Sequence, residues 1–150
     1  MGMDIQSGSG DPTETAVSEV DHTADDALLI RGADYGKLLQ NAAMGLYRLV
    51  GTTGTGMPGK PPVEKQVSVD AQDAEGLLVE WLSELAFWVE TEFFIGSDIR
   101  FLEVGDRHLK AAISGYRADR VEKLIKAVTY HDLKILVTPD GLEATVVFDV

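Results

Sequence analysis

The segment from Leu77 to Val89 has the strongest periodic pattern in the chain, and it limits most tightly what the chain can fold into. Its apolar residues recur at helical spacing and form one continuous stripe, with glutamates on the opposite side. The stripe consists of Leu77, Leu78, Trp81, Leu82, Leu85, Trp88 and Val89. A helix with one apolar face is stable when another element covers that face, so the pattern predicts a helix packed across a sheet.

A second helix is predicted from Tyr35 to Val50, with Asp34 as its N-cap, because apolar residues again share one face. The other apolar segments are short and several alternate with polar residues, which is typical of strands. Strands are predicted over 27–33, 63–70, 99–104, 109–116, 128–138 and 142–150, with turns at 105–108 and 139–141. The expected fold class is α+β, with two amphipathic helices packed on an antiparallel or mixed sheet.

The chain divides by composition into a short acidic start and one longer folded part. Residues 1–21 contain five acidic residues, no lysine or arginine, and the tract Ser7-Gly8-Ser9-Gly10. Such low hydrophobicity predicts a flexible acidic tail. Residues 22–150 contain no fixed-period repeat and no internal linker, and their length suits a single domain.

The charge balance limits which classes of molecule the protein is expected to bind. The formal net charge is −12, from 25 acidic against 13 basic residues. Nucleic-acid affinity comes largely from basic residues that displace counterions, so direct RNA or DNA binding is disfavoured. An acidic surface suits a hard cation or a basic protein partner. The lack of cysteine excludes disulfides, thiolate metal sites and cysteine nucleophiles.

No apolar segment approaches the roughly 20 residues that a membrane-spanning helix needs. The start of the chain also lacks the basic and apolar segments of a secretory signal. We therefore expect a cytoplasmic protein with no membrane partner.

The last six residues form a strand-like segment in which Val146, Phe148 and Val150 alternate with more polar positions. A sheet could hold such an end still and place the Asp149 side-chain carboxylate beside the terminal carboxylate of Val150. A fixed pair of carboxylates attracts a cation. Asp25 is the last residue of the polar segment that leads into the first predicted strand. Taken alone, such acids are more often helix caps or solvated groups than ligands.

Four blocks in this order resemble the archease family over about residues 20–150. They are His22-Thr23-Ala24-Asp25, Leu77 to Leu85, Lys126-Ala127-Val128-Thr129-Tyr130-His131 and Phe148-Asp149-Val150. The resemblance implies a metal site built from Asp25, Asp149 and a carboxylate oxygen of Val150. Oxygen ligands suit a hard ion, with calcium expected first and magnesium or manganese as alternatives. Asp26 stands where the family usually has an apolar residue, which adds an acid beside this site.

The resemblance also implies a function as an accessory protein rather than an enzyme. Archeases act as protein cofactors of RtcB-type RNA ligases, which use GTP and manganese to join RNA ends in tRNA splicing and RNA repair. The cofactor promotes guanylylation of the ligase and sustains multiple turnover. RNA would then be contacted only indirectly, through the ligase.

Three further residues belong to the family blocks. Lys126 is either an edge lysine with its aliphatic part packed on the protein or a contact to a partner or bound phosphate. His22 and His131 have uncertain roles; a structural histidine bonded to a backbone carbonyl is favoured over a ligand or base. Asp132 follows His131, and adjacent strand residues point to opposite faces, which argues against their pairing.

The aromatic residues on and just after the second helix, including Phe87, indicate core packing for most of them. Phe93 and Phe94 are candidates for the edge of a contact surface.

Two other functions are compatible with the residues. A chaperone-like interaction module would share the acidic surface and would act on unrelated clients without needing Asp149. A small metal-dependent phosphoesterase would use the same carboxylates on a bound water, and it would need a substrate pocket and a base. The segment 51–56 is glycine-rich, but it leaves a helix instead of opening one, so it does not predict a phosphate loop.

Overall fold

A computed structural model describes residues 17–20, 26–53 and 61–150. The helices are α1 (Tyr35–Val50) and α2 (Ala74–Glu92). The strands are β1 (Val17–Val20), β2 (Asp26–Gly32), β3 (Thr52–Thr53), β4 (Val63–Asp70), β5 (Phe94–Val104), β6 (His108–Arg117), β7 (Arg120–Val121), β8 (Ala127–Thr129), β9 (Leu136–Thr138) and β10 (Gly141–Asp149).

Both predicted helices are confirmed, and both begin at an aspartate cap. The Oδ1 atom of Asp34 accepts a 2.8 Å hydrogen bond from the N–H of Lys37 at the start of α1. At the start of α2, the Oδ1 atom of Asp73 accepts a 2.7 Å hydrogen bond from the N–H of Gly76. These bonds satisfy backbone N–H groups that have no partner within the helix, which is why a short acidic side chain stabilises a helix at this position.

All described strand pairs are antiparallel and form three sheets. The first has the order β1-β2-β10-β8, and β9 also pairs with β10. The second consists of β4-β6-β5, and the third is the small pair of β3 and β7. The two helices pack against each other and against the strands, which confirms the predicted α+β class. No helix in the described part of the chain is long and apolar enough to cross a membrane.

The hydrophobic core lies where the helices meet the sheets. Its large, fully buried side chains include Trp81, Phe94, Phe148, Ile30, Leu38, Leu39, Leu46, Leu77, Leu78, Leu82, Leu85 and Leu109. The indole Nε1–H of Trp81 donates a 2.9 Å hydrogen bond to the carbonyl oxygen of Leu39, joining the two helices. A buried indole N–H needs such a partner, because an unpaired polar group in the core is costly.

The structure corrects three predicted boundaries. β5 begins at Phe94, five residues before the strand predicted over 99–104. Val17–Val20 were assigned to the tail, but they pair with β2, so the sheet begins before residue 22. The strand predicted over 128–138 is two short strands, β8 and β9, separated by a loop in which Asp132 has a φ of 50°. A left-handed residue breaks the extended backbone, and the spacing of apolar residues does not reveal it.

Candidate functional site

The C-terminal end of the chain is held in place, as its alternating pattern predicts. β10 lies between β2 and β8, and Phe148 is fully buried. Val150 packs against the hydrophobic core. The backbone N–H of Lys126 donates a 2.7 Å hydrogen bond to the carbonyl oxygen of Asp149. Both sides of the last strand are therefore bonded, and the exposed side chain of Asp149 is carried on an ordered support.

The side chain of Asp149 is exposed, and no hydrogen bond or ion pair to it is present within the described ranges. Successive side chains of a strand point to opposite faces, so Asp149 lies on the face opposite the buried Phe148. Its carboxylate oxygens are free to bind a cation or a partner group.

The two faces of β10 differ less in burial than the alternation of apolar and polar residues along the strand suggests. Val147 shares the parity of the exposed Thr145 and Asp149, yet it is only 5% exposed. Its directly opposed residue on β2, Ala27, is 1% exposed. Both faces of the sheet are therefore covered at this point, one residue pair before the described ladder ends.

Asp26 is directed away from the face that carries Asp149. It lies directly opposite Phe148 in the ladder between β2 and β10, so these two side chains share the core-side face. The Oδ2 atom of Asp26 lies 2.5 Å from the Nζ atom of Lys123. The extra acid next to Asp25 in sequence is therefore paired with a lysine on the other face of the sheet.

Asp25, the N-terminal member of the predicted metal site, and His22, whose role was left open, both lie outside the described residues. Within residues 17–20, 26–53 and 61–150, no three histidine, aspartate or glutamate side chains are grouped so that they could hold a metal ion. The structure describes the positions of Asp149 and Val150 but not that of Asp25, and the assignment of all three as metal ligands remains a prediction.

Lys126 stands beside the chain end, immediately before β8. Its side chain is exposed and has no ion-pair partner in the described part of the chain. It lines a cavity of about 220 Å³ between β8 and α2, together with Phe87 and Glu90 of α2. The ammonium group is therefore available to a ligand that approaches the chain end.

His131 lies in the loop after β8, with its side chain 61% exposed. Its Nε2 atom is 3.4 Å from the Oδ2 atom of Asp132. The prediction that these neighbours point apart is wrong, because the left-handed backbone of Asp132 replaces the expected strand. The backbone N–H of His131 donates to Oγ1 of Thr129 at 3.3 Å.

Two features near the chain end were missed from the sequence. Lys123 was not singled out, since nothing local links it to Asp26, 97 positions away. Phe87 was grouped with core aromatics but is 53% exposed; its position outside the apolar stripe of α2 was the available signal. Phe94, a candidate surface residue, is fully buried.

The fold and the chain end define a small α+β protein in which two helices pack on antiparallel sheets and an acidic terminus is fixed beside a lysine. The model of the Archease protein family (MTH1598/TM1083) matches residues 18–150. The chain belongs to this family.

Individual relatives agree with this assignment. The chain is 36% identical over 139 residues to the protein archease of Archaeoglobus fulgidus, covering 87% of this chain and 96% of that protein. It is 33% identical over 139 residues to the protein archease of Methanosarcina acetivorans, covering 87% and 93%.

Solved structures give the same result. The solution structure of protein 1598 of Methanobacterium thermoautotrophicum superposes with a TM-score of 0.70 at 27% identity, covering 90% of this chain and 99% of the other. The crystal structure of an archease from Thermotoga maritima, described as a possible chaperone, gives 0.64 at 26% identity, covering 87% and 94%.

Proposed function

We propose that this protein is an accessory cofactor of an RtcB-type RNA ligase and acts through its C-terminal end. The observation that carries the proposal is the anchored terminus: β10 is bonded on both sides, and it carries the exposed carboxylate of Asp149, which has no ion-pair partner among the described residues. A group held in this way can be inserted into a partner's active-site mouth without a large entropic cost. Membership of the archease family supports the same role.

The proposed metal ligands are Asp149, the terminal carboxylate of Val150, and Asp25. Asp25 is covalently joined to Asp26, the residue opposite Phe148, and consecutive α-carbons are only about 3.8 Å apart. A set of carboxylate oxygens fits a hard divalent ion, calcium first and magnesium or manganese as alternatives.

When bound, such an ion would neutralise negative charge on nucleotide phosphates in the ligase. The protein's own residues supply the rest of the proposed action. Asp149 and the chain end are held in one orientation by β10, and Lys126 offers an ammonium group to the ligase or to a phosphate. Because the chain carries a net charge of −12, it would dock at a basic active-site mouth and meet RNA only through the ligase. We propose that the protein acts on the ligase in the cytoplasm.

The test is ligation of RNA ends by an RtcB-type ligase from the same organism, with GTP and manganese. The reaction is compared without addition, with this protein, with Asp149→Ala and with Asp140→Ala. Asp140 is the matched control, because it is an exposed aspartate in the turn at the opposite end of β10. We expect turnover to be stimulated by the wild type and by Asp140→Ala only. Full stimulation by Asp149→Ala would show that the carboxylate at the chain end is not needed.

A chaperone-like module is the second candidate, favoured by the description of the Thermotoga maritima relative. Exposed apolar side chains such as Phe87 and Val137 could contact unfolded clients. This candidate predicts suppression of aggregation of unrelated proteins, equally by the wild type and Asp149→Ala. The same protein preparations can be tested in both assays.

A further inference from the structure

The segment of residues 118–126, which lies between β6 and β8 and contains β7, is bonded to the C-terminal ends of both helices. The backbone N–H of Ala118 donates a 2.9 Å hydrogen bond to the carbonyl oxygen of Phe93, the residue that follows α2. The N–H of Lys123 donates a 3.0 Å hydrogen bond to the carbonyl oxygen of Val50, the last residue of α1. The last carbonyl groups of a helix have no partner within that helix, so such bonds satisfy them and hold the segment in place.

The same segment also contacts both strands that carry the proposed metal site. The N–H of Lys126 donates a 2.7 Å hydrogen bond to the carbonyl oxygen of Asp149, at the end of β10. The Nζ atom of Lys123 lies 2.5 Å from the Oδ2 atom of Asp26, the first residue of β2. Asp26 directly follows Asp25 in the chain, and consecutive α-carbons are only about 3.8 Å apart. One segment therefore fastens both Asp149 and the neighbour of Asp25.

The contact between Lys123 and Asp26 lies where the ladder between β2 and β10 stops. Asp26 and Phe148 form the last residue pair of this ladder in the described part of the chain. A strand end has ladder neighbours on one side only, and it opens more easily than the middle of a strand. An added contact at this position therefore restricts the backbone at the start of β2, and with it the positions that Asp25 can take.

The charges at this contact argue against a direct role in ion binding. The Lys123 ammonium is positive and would repel a metal cation. The Asp26 carboxylate is already paired with that ammonium, and it lies on the face of the sheet opposite Asp149. Neither side chain suits a metal ligand, but together they can hold a ligand in position. Groups that orient the ligands of a metal ion in this way raise the affinity of the site.

We propose that Lys123 is a positioning residue for the metal site, and that Asp26, the extra acid next to Asp25, is its anchor and not a fourth ligand. This inference rests on the proposed function. By pairing with Asp26, Lys123 fixes the start of β2, while the backbone of Lys126 fixes the end of β10 from the same segment. The ion affinity of the site thus depends on a contact between two residues that do not touch the ion.

The test measures the affinity of the full chain for calcium, magnesium and manganese, in separate titrations by calorimetry without ligase, RNA or GTP. The main variant combines Asp26→Asn with Lys123→Met, which removes the contact and leaves the net charge at −12. The matched control combines Asp140→Asn with Lys134→Met, which makes the same two changes at exposed positions on either side of β9. Lys123→Arg keeps a cation that can pair with Asp26. Circular dichroism and thermal unfolding verify that each variant is folded at the temperature of the titration.

We expect the main variant to bind the ion that the wild type prefers about three- to fivefold more weakly, which is the range for loss of an exposed ion pair. Long-range attraction of the cation cannot explain this difference, because the two proteins carry the same net charge. Lys123→Arg and the control should bind the ion as the wild type does. If the contact served only the stability of the fold, the folded main variant would bind the ion with wild-type affinity.

If the wild type binds an ion and the main variant binds it equally well, Lys123 does not position the site, and the proposed function stands. An equal loss in the control or in Lys123→Arg also overturns the inference, because the effect would not depend on the contact. If the wild type binds none of the three ions, the metal site of the proposed function fails together with its positioning residue.

Discussion

The backbone N–H of Lys126 donates a 2.7 Å hydrogen bond to the carbonyl oxygen of Asp149, the penultimate residue of the chain. This bond joins two of the blocks that identify the family, and it places the backbone of Lys126 next to that of Asp149. The pairing is made through the backbone, so both side chains stay available. A terminus with this support can carry a site, whereas chain ends without such bonds fray.

The position of the terminal carboxylate is the first feature to test. Val150 would act through its main-chain carboxylate, so appending one glycine should abolish divalent-ion binding measured by calorimetry, because the carboxylate moves by one residue. Val150→Ala keeps the carboxylate in place and should bind ions normally, with a small loss of thermal stability from the side chain that packs on the core. Equal ion affinity for the extended chain would exclude the terminal carboxylate as a ligand.

The ion pair of Asp26 and Lys123 should contribute modestly to stability. Replacing Lys123 with methionine leaves the Asp26 carboxylate, whose side chain is 27% exposed, without its cation. Since the Lys123 side chain is 38% exposed, we expect a loss of about 1 kcal/mol or less in urea unfolding. A double-mutant cycle with Asp26→Asn measures the interaction free energy between the two side chains. A coupling free energy of zero would show that this contact does not stabilise the protein.

Stability should fall in acid partly through Glu92. The Lys65 ammonium lies 2.7 Å from both of its carboxylate oxygens and, together with Arg117, lowers the pKa of Glu92. A carboxyl whose pKa is lowered by folding stabilises the native state above its unfolded pKa of about 4.3, and this contribution is lost as the pH falls through the folded pKa.

Glu92→Gln should therefore lose less stability than the wild type between about pH 5 and pH 3, measured by urea unfolding at each pH. Glu64→Gln is the control, because Glu64 is exposed on β4 next to Lys65 in sequence. If the free energy of unfolding of the wild type and of Glu92→Gln fell in parallel with pH, Glu92 would not be a cause of the loss of stability in acid.

The link between the helices can be tested at Trp81. Trp81→Phe removes the buried N–H that donates to the carbonyl of Leu39 and also reduces the core volume. We expect a loss of about 2 kcal/mol in the free energy of unfolding. Trp88→Phe should cost less, since Trp88 is only partly buried and packs edge-on against Phe94 at a centroid distance of 6.0 Å.

Much of the fold could be predicted locally. The helical stripes, the caps Asp34 and Asp73 and the turn at 139–141 depend on residues close in sequence, and of these Asp73 alone was not predicted. The pattern failed over 128–138, where a left-handed Asp132 interrupts an apolar segment that reads as one strand. The anchoring of the terminus was also predicted, because its alternation matches a strand with one buried face.

By itself, the sequence determined the helices, most strands, the α+β class and the concentration of acid at the chain end, since all of these follow from periodicity, caps and composition. Only the tertiary structure decided that Asp26 points to the face opposite Asp149 and pairs with Lys123. It also decided that Val147 is buried, and that Phe87 is exposed to solvent and lines the same cavity as Lys126. The physical reason is that strand alternation assigns side chains to two faces, whereas contacts from residues far away in the chain decide which parts of those faces are covered.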